Sequence, residues 1–232
     1  MIGNPSELAH GAILSVMFVL NFHLIGKPKR ALAEGEEDVS LERGQFVEIL
    51  DAVSDRDDVL LTFDDGNRSD VTAVLPELQR RGLQAQFFIC PARFGTAEFV
   101  DESDVRELQL AGMSVGSHGM DHVQWRKLQP SALDREIVQA KRVLEETLQT
   151  PIDAAACPFG AYDRRALRAL RGAGFQRVYT SDGGAANAKE WLVARNTVRR
   201  SDSAESIERM LNQSSETASL ALKTKRWIKR WR

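Results

Sequence analysis

The chain predicts an α/β protein in which parallel strands are joined by crossover helices. Short apolar runs rich in Val, Ile, Leu and Phe alternate with stretches of helical periodicity. Several helical stretches stop at a glycine (Gly82, Gly112 and Gly172), as helix C-termini often do. The length, 232 residues, suits one large domain or two small ones. About seven strand-helix units fit a closed or nearly closed β/α barrel better than an open doubly wound sheet, which stays the alternative. No repeat or low-complexity linker divides the chain, so the domain is expected over residues 1–213, followed by a tail over 214–232.

Taken in order, residues 13–22 read as a buried strand, apolar on both faces. Residues 41–53 read as a helix and 59–63 as a strand running into Asp64-Asp65-Gly66. A helix over 70–81 ends at Gly82, and a strand over 84–90 stops at Pro91. A helix over 102–111 precedes a strand over 113–116 that ends at Ser117-His118. The longest helix spans 131–148, and a strand over 152–157 ends at Pro158-Phe159-Gly160. A helix over 163–171, strands over 175–180 and 191–198, and a helix over 203–212 complete the pattern.

Composition narrows the function. A hydrophobic fraction of 43% with 28% charged residues excludes general disorder. A net charge of -2 argues against a nucleic-acid partner. Cys90 and Cys157 cannot make a disulfide scaffold or a four-thiolate zinc site, and they read as small buried residues. Histidine chemistry must come from His10, His23, His118 and His122, with His10 an expected bystander. The first apolar run falls short of the ~20 residues that span a bilayer. It follows Glu7 with no Lys or Arg before it, so the expected location is the cytoplasm.

The polar residues at strand ends carry the chemistry. Asp64-Asp65-Gly66, Ser117-His118 and Pro158-Phe159-Gly160 each follow a predicted strand, and strand C-termini form the site in parallel β/α folds. His118 and His122 stand four apart, so a helical turn there would put both imidazoles on one face. Two His and a carboxylate make a facial metal site with open positions. Asp64 and Asp65 are adjacent and expected to point apart, one free to hold metal and the other to act as base.

Thr62-Phe63-Asp64-Asp65-Gly66, then His118-Gly119-Met120-Asp121-His122, resembles the polysaccharide deacetylase family. Ala156-Cys157-Pro158-Phe159-Gly160-Ala161-Tyr162 looks like that family's third motif. The resemblance implies a distorted β/α barrel that hydrolyses an N-acetyl, sometimes O-acetyl, group of a glycan with one divalent metal, commonly zinc. By position it makes Asp64 the general base and Asp65, His118 and His122 the metal ligands. It makes Pro158, Phe159, Gly160 and Tyr162 the lining of the substrate groove, with segments 94–101 and 183–188 setting sugar choice.

Two positions depart from the family pattern. Ala156 stands where many members carry a base-orienting arginine, and no histidine follows His122 to serve as the late general acid. His23, at the end of the first strand, resembles the histidine of a branch whose barrel looks circularly permuted, where an early strand takes the place of the usual last one. A closed barrel would bring it to the site as the acid. Arg195 is expected to replace the lost arginine by pairing with Asp64 or with Asp182. The rival readings are an O-acetyl esterase, a deformylase acting on a lipid-linked sugar, and an inactive sugar-binding protein. From Lys223 to Arg232 six bases accompany Trp227, Ile228 and Trp231, the composition of a helix lying on an anionic inner-membrane surface.

Overall fold

The computed structural model describes residues 16–212. His10, the boundary expected at residue 213 and the basic tail from Lys223 lie outside the described residues. Strands and helices alternate as β1 (Val16–Phe22), α1 (Arg43–Val53), β2 (Val59–Asp65), α2 (Leu75–Arg81), β3 (Ala85–Ile89), α3 (Glu102–Leu110) and β4 (Ser114–Ser117). There follow α4 (Pro130–Asp134), α5 (Ala140–Leu148), β5 (Ala154–Ala156), α6 (Arg164–Gly172), β6 (Arg177–Thr180), β7 (Ala186–Asn187), β8 (Leu192–Ala194), β9 (Asn196–Thr197) and α7 (Ala204–Asn212). A widened π-turn, Asp70–Val74, opens the helix that ends in α2. Pro76 has no N–H to return to residue 72, which loosens that turn. A second π-turn, Arg135–Gln139, joins α4 to α5, so the expected long helix is one rod with a bulge.

The order β1-β2-β3-β4-β5-β6-β8 is parallel throughout. The last strand, expected to be continuous over 191–198, is broken at Arg195. Its first half, β8, pairs with β6, and its second half, β9, pairs in parallel with β1. The Arg195 N–H donates to the Thr180 carbonyl at 2.9 Å, and the Val198 N–H donates to the Asn21 carbonyl at 2.9 Å. The chain changes partner at this residue, and the sheet becomes a nearly closed barrel with the first strand beside the last. The 183–188 segment adds β7, antiparallel to the start of β1.

Side-chain parity divides each strand between two cores. Outward, Phe22 stacks on Phe63 at 5.3 Å and Phe63 on Phe87 at 4.9 Å, and Phe46 of α1 meets Phe22 edge-on at 5.5 Å. Inward, Val19, Phe88, Ala154, Ala156, Tyr179 and Val193 fill a narrow interior. Gly116 belongs there because a Cβ would stand 2.6 Å from the Phe88 ring and 2.8 Å from the Ala154 carbonyl. Continued toward the strand C-termini, the inward parity carries Asn21 and His23 on β1, Thr62 and Asp64 on β2, His118 after β4 and Arg195 after β8.

Candidate active site

Asp64 is buried at the barrel mouth and clamped. Arg195, wholly buried, gives Nη1 to Oδ1 and Nη2 to Oδ2, each at 2.7 Å. Asn21 Nδ2 donates to Oδ2 at 3.0 Å. The Asn21 amide oxygen in turn accepts from Arg195 Nη1 at 2.9 Å and from the Thr62 hydroxyl at 3.0 Å, which fixes the clamp. Burial pushes the Asp64 carboxyl up, but the Arg195 charge, with His118 behind it, outweighs burial and holds the group down at about 2. Arg195 therefore pairs with Asp64. Asp182 accepts instead from the Tyr162 hydroxyl at 2.7 Å and from Thr180 at 3.0 Å. Sequence reasoning misses Asn21, although its inward place two residues before His23 is the available signal.

Asp65, His118 and His122 place one ligand atom each within 4.8 Å of one another. Two local expectations fail. Asp64 and Asp65 do not diverge. Asp65 has φ +80°, which turns it out of strand alternation, and both carboxylates approach His118 Nε2, at 3.6 and 3.7 Å. Nor is the His118–His122 turn helical. Gly119 and His122 both have positive φ, and the segment wraps as a loop around Glu136. The buried Glu136 accepts from the backbone of Met120 (3.2 Å) and Asp121 (2.9 Å) and from the Trp125 indole (3.3 Å). A Cβ at Gly119 would stand against the Glu136 carboxylate, so glycine is needed there. Glu136 also escapes sequence reasoning, because its role depends on a contact with a segment 15 residues away.

The donor set fits a divalent cation. His118 Nδ1 faces the Ala156 carbonyl at 2.9 Å, which fixes the proton on Nδ1 and leaves the Nε2 lone pair toward the carboxylates. Burial, outweighing the pull of Asp64, lowers His118 to about 4, so the ring is neutral near pH 7. Asp65 Oδ1 is buried without a well-directed hydrogen bond, although His122 Nε2 comes to 3.0 Å. Against the cost of its burial, the His122 contact holds the Asp65 carboxyl well below the usual range. A charged oxygen and an imidazole lone pair aimed at one point are the chemistry of a metal site.

His23 Nε2 lies 4.0 Å from Asp64 Oδ2, and its Nδ1 is buried without a partner. Asp64, Asp65, His118, His122 and His23 all line one cavity of about 620 Å³. Phe159 lines it too, exposed, with its ring 4.5 Å from that of His122 and its backbone at φ +56°. Pro158, Gly160 and Tyr162 are buried behind Phe159 and do not line the cavity. Phe99, from the 94–101 segment, also lines it, together with Arg30 and Arg93, whereas no residue of 183–188 does.

A profile of the polysaccharide deacetylase family matches residues 51–178, more than half of the chain, and the chain belongs to that family. YxkH of Bacillus subtilis, named for an inferred polysaccharide deacetylase activity, is 28% identical over 141 residues, covering 61% of this chain and 50% of YxkH. The peptidoglycan-N-acetylglucosamine deacetylase PgdA of Listeria monocytogenes is 32% identical over 109 residues, covering 46% of this chain and 22% of PgdA. The chain thus spans half or less of the length of these curated relatives. Among solved structures, the Streptococcus pyogenes deacetylase PplD in complex with acetate superposes with a TM-score of 0.75 at 18% identity, over 85% of this chain and 98% of that one. At that identity the likeness is one of fold, and it agrees with the barrel described above.

Proposed function

We propose that this chain hydrolyses the N-acetyl group of an amino sugar in a polysaccharide or glycan precursor, with one divalent metal. The observation that carries the reading is the meeting of a clamped, ionised Asp64 with a three-donor cluster on one wall of one cavity. Asp65, His118 and His122 would hold the metal, and zinc suits two imidazoles and a carboxylate. A metal so held supplies Lewis acidity to the acyl oxygen and acidity to water.

The protein side chains do the proton work. Asp64, oriented by Arg195 and Asn21, takes the proton of the attacking water. A carboxyl held near 2 keeps that proton poorly and readily passes it on. His23, 4.0 Å from Asp64, would deliver a proton to the departing amine. An amine leaves badly without one, so the acid matters more for an amide than for an ester. Phe159 offers an exposed ring for a sugar face beside His122. The relative PgdA supports N-acetylglucosamine in peptidoglycan as the first substrate to try. We read the basic tail from Lys223 to Arg232 as a contact for anionic membrane, which salt-sensitive vesicle co-sedimentation, lost on its deletion, would support.

The test is acetate release from a panel of N-acetylated and O-acetylated glycans, repeated after chelation and after metal is added back. Release from N-acetylated substrates that stops on chelation and returns with metal supports the reading. Release confined to O-acetyl esters would replace it with an esterase. No release from any member, at full metal loading, would leave a sugar-binding protein.

A further inference from the structure

We propose that the sugar bound in this cavity carries an oxyanion, a carboxylate or a phosphate, and that Arg93 and Arg199 bind it. The inference rests on the deacetylase reading and concerns the remainder of the substrate, not the bond broken.

The charges on the cavity wall do not cancel. Its cations are Arg30, Arg93 and Arg199, and its acids are Glu34, Glu36, Asp64 and Asp65. Glu36 is consumed by Arg30, which takes both its oxygens, and it also accepts from the Ala33 N–H at 2.8 Å. Asp64 is consumed by Arg195. Asp65 is the nearest carboxylate to Arg93, at 3.6 Å, but His122 and His118 share it, and its charge belongs to the metal cluster. Glu34 is exposed at the rim. Arg199 reaches the cavity from the segment after β9, and among the described residues no carboxylate pairs with its guanidinium. Arg93, which shares Asp65 with two histidines, and the exposed Arg199 therefore line the space where substrate would lie, with the exposed Glu34 as the one remaining acid.

Arg93 is also held in place. Its guanidinium lies over the Phe99 ring at 4.6 Å, and Arg30 lies over the same ring at 4.8 Å. Arg30 is anchored by Glu36 and by Asn67 Oδ1 at 3.3 Å. Glu98 ties the two flanking segments together, accepting from the Lys29 N–H at 3.0 Å and from the Arg68 N–H at 2.9 Å. A long side chain braced before the ligand arrives loses less freedom on binding. The guanidinium fork matches the paired oxygens of carboxylate and phosphate. A neutral sugar covering Arg93 would strip it of water and return no charge partner, which costs affinity.

The test is calorimetric titration of metal-loaded protein with three probes: N-acetylglucosamine, N-acetylglucosamine 1-phosphate and N-acetylmuramic acid. At least one anionic probe should bind about tenfold or more tightly than the neutral one, the usual scale of a charge-assisted pair. Arg93→Gln and Arg199→Gln should each remove most of that ratio. Preference for the phosphate probe or for the carboxylate probe supports the proposal and identifies the oxyanion. Equal affinity for all three overturns it. So does a preference that survives both substitutions, since the oxyanion would then sit on the metal. Acetate release from neutral chitotetraose, read on the same preparations, keeps the two claims apart. Release without anion preference refutes only this inference, and anion preference without release from any N-acetyl sugar refutes only the deacetylase reading.

Discussion

In the proposed mechanism, Arg195 and His23 would divide the work that the family resemblance assigns to one arginine and one late histidine. The Arg195–Asp64 pair is buried and bidentate. Arg195→Met should leave a buried carboxylate without its counter-charge and destabilise the fold by about 3–5 kcal/mol. Removing the dominant charge that holds Asp64 low should also move its protonation upward, so the acid limb of the rate profile should shift to higher pH. A variant with unchanged melting and an unchanged acid limb would deny Arg195 both roles. His23→Ala should cost amide hydrolysis about 10²–10⁴-fold and hydrolysis of an activated acetate ester much less. Equal small losses on both substrates would make His23 a bystander. His23 and Arg195 are legible in the sequence because each stands at a strand end, where period-2 alternation brings it to the face that carries Asp64. Parity cannot show that Asp65 turns back to the same site, since that depends on a positive φ at one residue.

At the scale of elements, helices and strands are legible in the sequence and the loops are not. The apolar runs of β1 to β6 and the glycine after α2 stand where hydrophobic periodicity and capping chemistry put them. The break between β8 and β9 is not legible, because it arises from a change of partner and leaves no local signature. The His118–His122 spacing suggests a helix for a related reason: the loop's true shape is dictated by Glu136, on a different element. Asp70, at the π-turn before α2, is a further buried acid, and neither carboxylate oxygen has a hydrogen-bond partner. Burial first, then the charges of Asp65 and Asp64, raise its carboxyl well above the usual range. A carboxyl raised in the native state makes folding progressively less favourable as pH rises above the unfolded value of about 4. Asp70→Asn should therefore raise the melting temperature at pH 7 and change it little at about pH 3.5, where the acid is largely protonated folded or unfolded. Equal melting of the two proteins at pH 7 would contradict this assignment.

For the whole molecule, burial of the site links protonation and stability. Native His118 takes a proton at about 4, whereas an unfolded histidine does so near 6.5. The unfolded chain thus binds more protons between those values, and stability is full above about 6.5 and falls as pH drops toward 4. This one group accounts for about 3 kcal/mol at the low end, by the cost of each pH unit. Metal-free protein should lose melting temperature steadily over that window, and His118→Gln should flatten the curve. The fold as a whole is open to sequence reasoning because a barrel repeats one strand-helix unit, while the part of the cavity wall built by Arg30, Ala33 to Glu36 and Arg199 is not, because it comes from loops without periodicity. Among the described residues no helix is long and apolar enough to cross a membrane.

In the proposed mechanism the residues that would hold metal are distinct from the residue that would move protons. Acetate release from an N-acetylated oligosaccharide by Asp64→Asn protein of measured metal content separates the two roles. Asp64→Asn should bind metal as the parent does, with turnover reduced to background, while His118→Ala and His122→Ala should lose both. Metal-replete Asp64→Asn that still releases acetate at the parent rate would contradict the mechanism.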